Sequence, residues 1–387
     1  MCIMSEKIHT QDSFDQIYNE TEKVYVPRTP ELLDKFRSIA PKRILQPYLS
    51  DTTEPYSLRL RSTTKSGTKK YDATLKTAGQ ITAAGKSRSE FTGGLSDERF
   101  NYYTAGDLPT VRKTRVSPME SIDIDFFDDG DTWVESENPE AWTRFLDHHR
   151  FDTDDFVDMT GHAPDNELRA HVLYRREHGG RNAFATYRPF DTDIALDAIL
   201  PYAKSRIQLS RGRLPVVRIT GRSGSGKSHH LSVLREELKS HDVDSYVISI
   251  DDYNIGMKKL LATNNGEYPR DFDLQNVYDI EQARTDLQEL LAGRAIRQYA
   301  FDWRTSEPRY LRTVDAPGDG TVLFLEGIWA RHDAFERADI TLDIDTPLAT
   351  SLGQRITRDM RERAEFAEPE KSMHYYLEHA EPAYRAG

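Results

Sequence analysis

The chain has 387 residues, 37% of them hydrophobic and 30% charged, which is enough for two domains that each bury a core. A formal net charge of -12 excludes a general nucleic-acid binder, whose phosphate contacts need a basic face, and leaves local basic clusters for small phosphates. One cysteine, Cys2, excludes intramolecular disulfides and cysteine-built zinc sites and fits a reducing cytoplasm. No run approaches the ~18 apolar residues of a membrane helix, and the N-terminal MCIMSEKIHTQD has no signal-peptide core.

From about Phe14 to Glu137, period-two runs alternate with turn-rich breaks, which predicts an antiparallel β domain. Charges recur two residues apart within these runs: Glu20 and Glu22, Arg59 and Arg61, Arg88 and Glu90, Lys113 and Arg115, Asp123 and Asp125, Glu135 and Glu137. Residues two apart on a strand share a face, so each pair lies on one side, opposite Leu, Ile, Val or Phe. Two arrangements fit this pattern. One is a barrel whose charged face turns inward around a polyanion and its metal ions; the other is a sheet with one charged outer face.

The order ExE, RLR, YDATLK, RSE, KTR, IDID and VESE, followed by DFVDMTGHAPDNEL, resembles the CYTH or triphosphate tunnel metalloenzyme family over about 150 residues. The resemblance implies an eight-stranded antiparallel tunnel in which Arg59, Arg61, Lys76, Lys113 and Arg115 contact phosphates. It also implies that Glu20, Glu22, Asp123, Asp125, Glu135 and Glu137 are candidate ligands for Mg²⁺ or Mn²⁺, with some of them orienting the basic residues. The ligand would be inorganic polyphosphate or a nucleoside triphosphate. The family signature E-x-E-x-K is broken: Val24 stands where its lysine would be, and Lys23 falls one residue early, on the other strand face. This departure moves the expectation from hydrolysis toward anion binding or a regulatory role.

Between His171 and Arg213 the pattern weakens. DTDIALDAILPYAKSRIQLSRGR then carries a helical apolar stripe through Ile194, Leu196, Ile199, Leu200, Ala203 and Ile207, capped by Asp191 or Asp193. Pro201 inside it predicts a kink or two short helices packed on the following sheet. The expected organisation is a tunnel domain at 14–175, a connector with a helix at 176–213 and a second domain at 214–387.

That second domain opens with LPVVRIT, GRSGSGKS and a helix-patterned HHLSVLREELKS, so a phosphate loop sits between strand and helix. Backbone N–H groups from Gly221, Ser223, Gly224, Ser225, Gly226, Lys227 and Ser228 would converge on phosphate oxygens, reinforced by the helix N-terminus. Lys227 would reach the β- and γ-phosphates and Ser228 would hold Mg²⁺. Strand and helix signals then alternate through YVISI, a helix from about Asp279 to Ala292, VLFLEG, ITLDID and LATSLGQRITRDMRERA, which predicts a parallel sheet in an α/β P-loop fold. Phosphoryl transfer needs a base, a metal ligand and cations. Asp251 fits the base, Ser228 with Glu326 the metal site, and Arg355 and Arg358 a cationic lid, whereas Arg361 and Arg363 read as a solvated helix face.

GRSGSGKS, SIDDY, DFDLQNVYD, VLFLEGIWA, LDIDTP, QRITRDMRER and EPAY together resemble the uridine kinase and phosphoribulokinase branch of P-loop kinases over nearly the whole second half. The resemblance supports Asp251 as base and implies ATP as donor. It suggests Asp273 for the acceptor's ribose hydroxyls, with Tyr299 and Arg304 around its base. Leu274 stands where the family has a histidine, the segment near Tyr299 departs from YDF, and the chain stops at Gly387 just past EPAY. These departures leave the acceptor open.

The sequence thus predicts a two-domain cytoplasmic enzyme, with no nucleic-acid or membrane partner and with homo-oligomers allowed. A CYTH-like antiparallel barrel (α+β) precedes an ATP- and Mg²⁺-dependent kinase for a nucleoside or similar small hydroxyl acceptor. Two rival readings accompany it: a tunnel triphosphatase or pyrophosphatase whose P-loop domain is regulatory, and a nucleotide-responsive binding module.

Overall fold

In a computed structural model of the chain, the described residues are 19–78, 80–82, 85–160, 166–208, 214–267, 271–318, 320–335, 338–362 and 368–386. They divide into two compact units. One comprises Met1–Tyr187, Leu348–Gly353 and Pro369–His374, the other Arg188–Pro347, Gln354–Glu368 and Tyr375–Gly387.

The first unit is built on a ten-stranded sheet. Its strands are β1 (Asn19–Pro27), β2 (Lys42–Pro47), β3 (Tyr56–Lys65), β4 (Thr68–Thr77), β5 (Gln80–Thr82), β6 (Gly85–Gly94), β7 (Thr110–Met119), β8 (Ile122–Phe127), β9 (Thr132–Ser136) and β10 (Phe156–Asp158). Eight of them close a ring in the order β1-β9-β8-β7-β2-β3-β4-β6, because β6 pairs back to β1; β5 and β10 are appended. All of these pairings are antiparallel.

Closure decides between the two arrangements left open by the strand pattern. Arg115 on β7 reaches past β8 to Glu135 on β9, and Arg59 on β3 reaches past β4 to Glu90 on β6. Side chains can meet across an intervening strand only on the concave face, so the charged face is the inside. The apolar residues of opposite parity point outward and are roofed. Tyr25, Ile122, Ile124, Phe126 and Val134 pack beneath helix α1 (Pro139–His149), whose Trp142 stacks on Tyr25 with ring centroids 3.7 Å apart. Asn138 starts α1 by accepting a hydrogen bond from the Ala141 N–H, with Pro139 at the first helical position.

In the second unit, β11 (Val216–Thr220), β12 (Ser245–Ser249), β15 (Val322–Glu326) and β16 (Ile340–Asp343) form a parallel sheet of order β12-β15-β11-β16. A separate antiparallel hairpin, β13 (Ile296–Asp302) and β14 (Glu307–Val314), stands beside it; its strands are mostly exposed, which hides them from an apolar-periodicity reading. One sheet face is covered by α3 (Thr192–Gln208) and α4 (Lys227–Ser240), following α2 (Asn166–Glu177) of the first unit in chain order. The other is covered by α5 (Ile280–Leu291), which Asp279 caps by accepting from the Gln282 N–H.

Of the two outcomes expected at Pro201, the pair of short helices does not form. Pro201 lies inside one 17-residue helix, whose Leu196, Ile199 and Ala203 are buried against Val217, Ile219 and Leu234. Packing of that stripe outweighs the one hydrogen bond that proline removes. Among the described residues no helix is long and apolar enough to cross a membrane.

Candidate functional site

The phosphate loop follows β11 and runs into α4. Gly221 has φ +145° and a Cβ there would meet the Ile344 carbonyl and Ser225 Oγ at 2.7 Å, so only glycine fits this crossing. The loop's outer carbonyls are tied down from behind: Tyr376 Oη donates to the Ser223 carbonyl (3.0 Å) and Thr346 Oγ1 to the Ser225 carbonyl (2.9 Å). With those carbonyls held outward, the loop's N–H groups are left to face an anion at the start of α4. Lys227 is buried and its Nζ donates to the Gly221 and Arg222 carbonyls, both at 2.9 Å. Burial holds its pKa below the ordinary lysine range, against the pull of Glu326 and Asp251.

The carboxylates come from strand ends. Glu326 closes β15, is 6% exposed, and accepts from Ser228 Oγ at 3.1 Å and Ser249 Oγ at 3.0 Å. Burial and the neighbouring Asp251 push its carboxyl up, with Lys227 opposing. Asp251 sits on the 3₁₀ turn Ile250–Tyr253 after β12. Buried Glu326 and half-buried Asp251 beside one lysine, with a serine hydroxyl on each oxygen of Glu326, form a donor set that fits a divalent cation.

Arg355 and Arg358 lie on α6 (Leu348–Glu362), in the part of that helix belonging to the second unit. Both guanidinium groups are held by Asp359, which is fully buried, at 3.3 and 3.1 Å, and Arg355 also donates to Ser223 Oγ at 2.8 Å. Asp273 accepts from Tyr375 Oη at 2.9 Å and lies 3.8 Å from Arg355. Ser223, Lys227, Ser228, Asp251, Asp273, Glu326, Arg355 and Arg358 line one cavity of about 590 Å³, walled by Phe272, Tyr278, Trp303 and Tyr375.

Tyr299 and Arg304 do not join it, and this corrects the placement expected from the family pattern. Tyr299, on β13, lines a separate cavity with Tyr246 and Asp286, and Arg304 is almost fully exposed beside Asp302. Trp303, between them, is the hairpin residue that reaches the phosphate-loop cavity. Sequence reading missed Trp303, Tyr375, Ser249 and Asp359. Only Asp359 carried a signal, an acid between two arginines on one helix. Arg361 is exposed; Arg363 lies outside the described residues. Asp359→Asn keeps the shape but withdraws the charge shared by two arginines. We expect about a tenfold fall in turnover and a loss of ~1–3 kcal/mol in stability, read by steady-state kinetics and denaturant titration.

The barrel interior is a second charged site. Arg115 donates to Asp125 (2.6 and 2.7 Å), Asp123 (2.7 Å) and Glu135 (2.5 Å), and Lys113 donates to Asp125 at 2.5 Å. Lys76 and Arg59 pair with Glu90, and Arg88 with Glu22. Asp125 is held well below the ordinary carboxylate range; although burial opposes its charge, Arg115 and Lys113 overcome it. Glu135 is pushed up by burial, with Asp125 beside it. The Arg61 Nε, like that of Arg59, is buried without a hydrogen-bond partner, and burial together with Arg59 and Arg115 lowers the Arg61 pKa to about 10.

Of the expected tunnel ligands, one lies elsewhere and one falls outside the described residues. Glu137 is exposed beyond the end of β9 and accepts from Ser121 Oγ, and the Glu20 side chain lies outside the described residues. Nor do the remaining acids gather as a metal site: among the described residues no three His, Cys, Asp or Glu side chains converge. Asp123, Asp125 and Glu135 are each already engaged by Arg115, so the Mg²⁺ or Mn²⁺ expected in the tunnel does not fit this donor set. Val24 is inward and directly opposite Glu135, while Lys23 faces outward toward Asp158.

Comparison with known proteins adds an independent line. Residues 216–385 match the Phosphoribulokinase / Uridine kinase family. The chain is 34% identical over 159 residues to a uridine kinase of Bacillus licheniformis, covering 39% of this chain and 71% of that one. It is 25% identical over 206 residues to uridine-cytidine kinase C of Dictyostelium discoideum, covering 52% of this chain but only 43% of that protein. It is also 25% identical over 172 residues to inorganic pyrophosphatase TTM2 of Arabidopsis thaliana, covering 44% of this chain and 23% of that protein.

Proposed function

The chain belongs to the Phosphoribulokinase / Uridine kinase family, and on that premise we propose that its second unit transfers the γ-phosphoryl group of ATP to a hydroxyl of a nucleoside or related small metabolite. The observation that carries this reading is the convergence of Lys227, Asp251, Glu326, Arg355 and Arg358 in one cavity. Ser228 and Glu326 would hold Mg²⁺, which supplies charge neutralisation at the phosphates.

Asp251 takes the acceptor's hydroxyl proton as the new oxygen–phosphorus bond forms and the bond to the β-phosphate oxygen breaks, releasing ADP. Lys227 exchanges its two loop carbonyls for phosphate oxygens. Arg355 and Arg358, held by Asp359, face the charge that develops on the transferring group. Asp273, fixed by Tyr375, accepts from the acceptor's other hydroxyls, and the aromatic wall excludes water. The test is ADP release with ATP, Mg²⁺ and a panel of nucleosides, sugars and polyols. Stimulation at least tenfold above background by one class of hydroxyl compound supports the reading; none from any compound overturns it.

A second reading concerns the barrel, and the unbonded Arg61 Nε, in a cavity lined by Lys42, Lys65 and Lys70, favours it. The first unit binds a polyphosphate or nucleoside triphosphate, and its stronger form is a triphosphatase or pyrophosphatase with a regulatory P-loop unit. Similarity to a protein named inorganic pyrophosphatase supports it. Val24 opposite Glu135, and carboxylates already paired, favour binding over hydrolysis. Phosphate release from inorganic triphosphate decides: turnover abolished by Glu22→Ala and Arg59→Ala but unchanged by Asp251→Asn would establish the hydrolytic form.

A further inference from the structure

On four of the eight ring strands the inward positions change from ionic to apolar toward one end: Lys113 gives way to Val111 on β7, Asp125 to Phe127 on β8, Glu135 to Trp133 on β9, and Glu22 to Val24 and Val26 on β1, while β3 and β4 keep Arg59 and Lys76. Val111, Phe127, Trp133 and Tyr48 form one buried cluster, with Val24 and Val26 packed against it.

Helix α2 lies across this end. Its Ala170 is part of the cluster, and the Arg169 guanidinium sits 4.3 Å over the Phe127 ring and 4.6 Å over the Trp133 ring. Arg169 is paired with Asp129 and Asp131, which belong to the turn joining β8 to β9, and His171 Nε2 bonds the Ser50 carbonyl at 3.0 Å. The helix is therefore tied at two points over a filled end.

Among the described residues the other end is open. A cavity of about 560 Å³ is lined there by Lys42, Lys65, Lys70, Arg61 and Arg115, against Asp72 and Asp123. Lys65 and Lys70 are exposed at the rim and Arg61 lies deeper, half-buried. Arg115 already has three acidic partners, whereas the Arg61 guanidinium has a buried Nε that nothing satisfies. From Asp123 at the mouth to Phe127 in the plug is four residues, about 13 Å along a strand. That depth holds a few phosphoryl groups and no more.

We propose that the barrel is a blind cup which takes a linear polyphosphate end-on, terminus first, through the Lys42, Lys65 and Lys70 mouth, with Arg61 seating the terminal phosphoryl groups. This rests on the reading of the barrel as a polyanion site and specifies its ligand: phosphate chain ends, never chain interiors. A polymer threaded through an open tunnel, or lying along a basic outer surface, would be held along its length. A cup can hold only its two ends.

The experiment uses the full chain carrying Lys227→Ala, so that the phosphate loop contributes little, and titrates it by calorimetry with inorganic triphosphate and with polyphosphates of about 25 and about 100 units. The expected result is saturation at two protein chains per polymer for both lengths. Arg61→Ala weakens binding at least tenfold, Arg61→Lys restores part of it, and the circular dichroism spectrum and melting temperature confirm that each variant is folded. A stoichiometry that grows with polymer length overturns the blind cup. A stoichiometry of two that Arg61→Ala leaves unchanged overturns the assigned seat. If neither triphosphate nor polyphosphate binds, the underlying reading of the barrel falls, and the inference with it.

Discussion

Replacing Asp251 by asparagine is expected to lower acceptor phosphorylation by roughly 10²–10⁴-fold, the range over which a positioned general base acts, while nucleotide affinity changes less than threefold. The separation follows from where the residue stands. Asp251 is on the turn after β12, and on the proposed reading it faces the acceptor, whereas the groups that would face the phosphates are the loop N–H groups and Lys227, which this change does not touch. Asparagine has nearly the same shape, so the turn is preserved and the lost property is the ability to accept a proton. Lys227→Ala provides the contrast, because it removes a phosphate contact and should weaken nucleotide binding and turnover together. Rapid-quench measurement of the chemical step, alongside equilibrium binding of a nonhydrolysable ATP analogue, reads the two effects apart. If Asp251→Asn keeps turnover within threefold of the parent, proton abstraction belongs to another group and the assigned mechanism is wrong.

The two sites were legible in the sequence to different depths, for a physical reason. Phosphate binding by a loop and a helix N-terminus depends on backbone geometry over eight consecutive residues, so GRSGSGKS carries both the fold and the chemistry locally. Asp251 and Glu326 stood out as candidates because Glu326 closes an apolar strand and Asp251 follows another on a short turn, and parallel strands deliver their C-terminal ends to one edge. The acceptor side depends instead on how a polar hairpin lies. Trp303, in the turn after β13, lines the phosphate-loop cavity, whereas Tyr299 on β13 and the exposed Arg304 do not. No apolar periodicity marks which residues of a polar hairpin face a cavity.

In the barrel, period two gave the charged face correctly but could not say which side was concave; that came from β6 returning to β1. Nor did it reveal that the charge stops partway, because Val24, Val111, Phe127 and Trp133 read like ordinary strand residues until closure points them inward. The valine at 24 is then more than a missing cation. It belongs to the wall that seals the cup.

The same closure makes Asp125 the position where the first unit is most easily broken. It is fully buried, and it is the carboxylate shared by Lys113, itself 2% exposed, and Arg115. Asp125→Ala leaves those two cations with Glu135, whose carboxyl is pushed up and therefore gives up its charge more readily, and with the half-buried Asp123. Removing one partner from a buried ionic group costs roughly 3–5 kcal/mol, and denaturant titration of the first unit should show a loss of that order.

The pH dependence has a definite sign. Because the folded-state pKa of Asp125 is depressed, its contribution is complete above the ordinary aspartate value near 3.9 and is lost as pH falls below it toward the folded value. The parent unit should therefore lose stability steeply below about pH 4, while Asp125→Asn, already without that charge, should start lower and fall less steeply over the same interval. Parallel acid limbs in parent and variant would show that Asp125 does not carry the charge that neutralises Lys113 and Arg115.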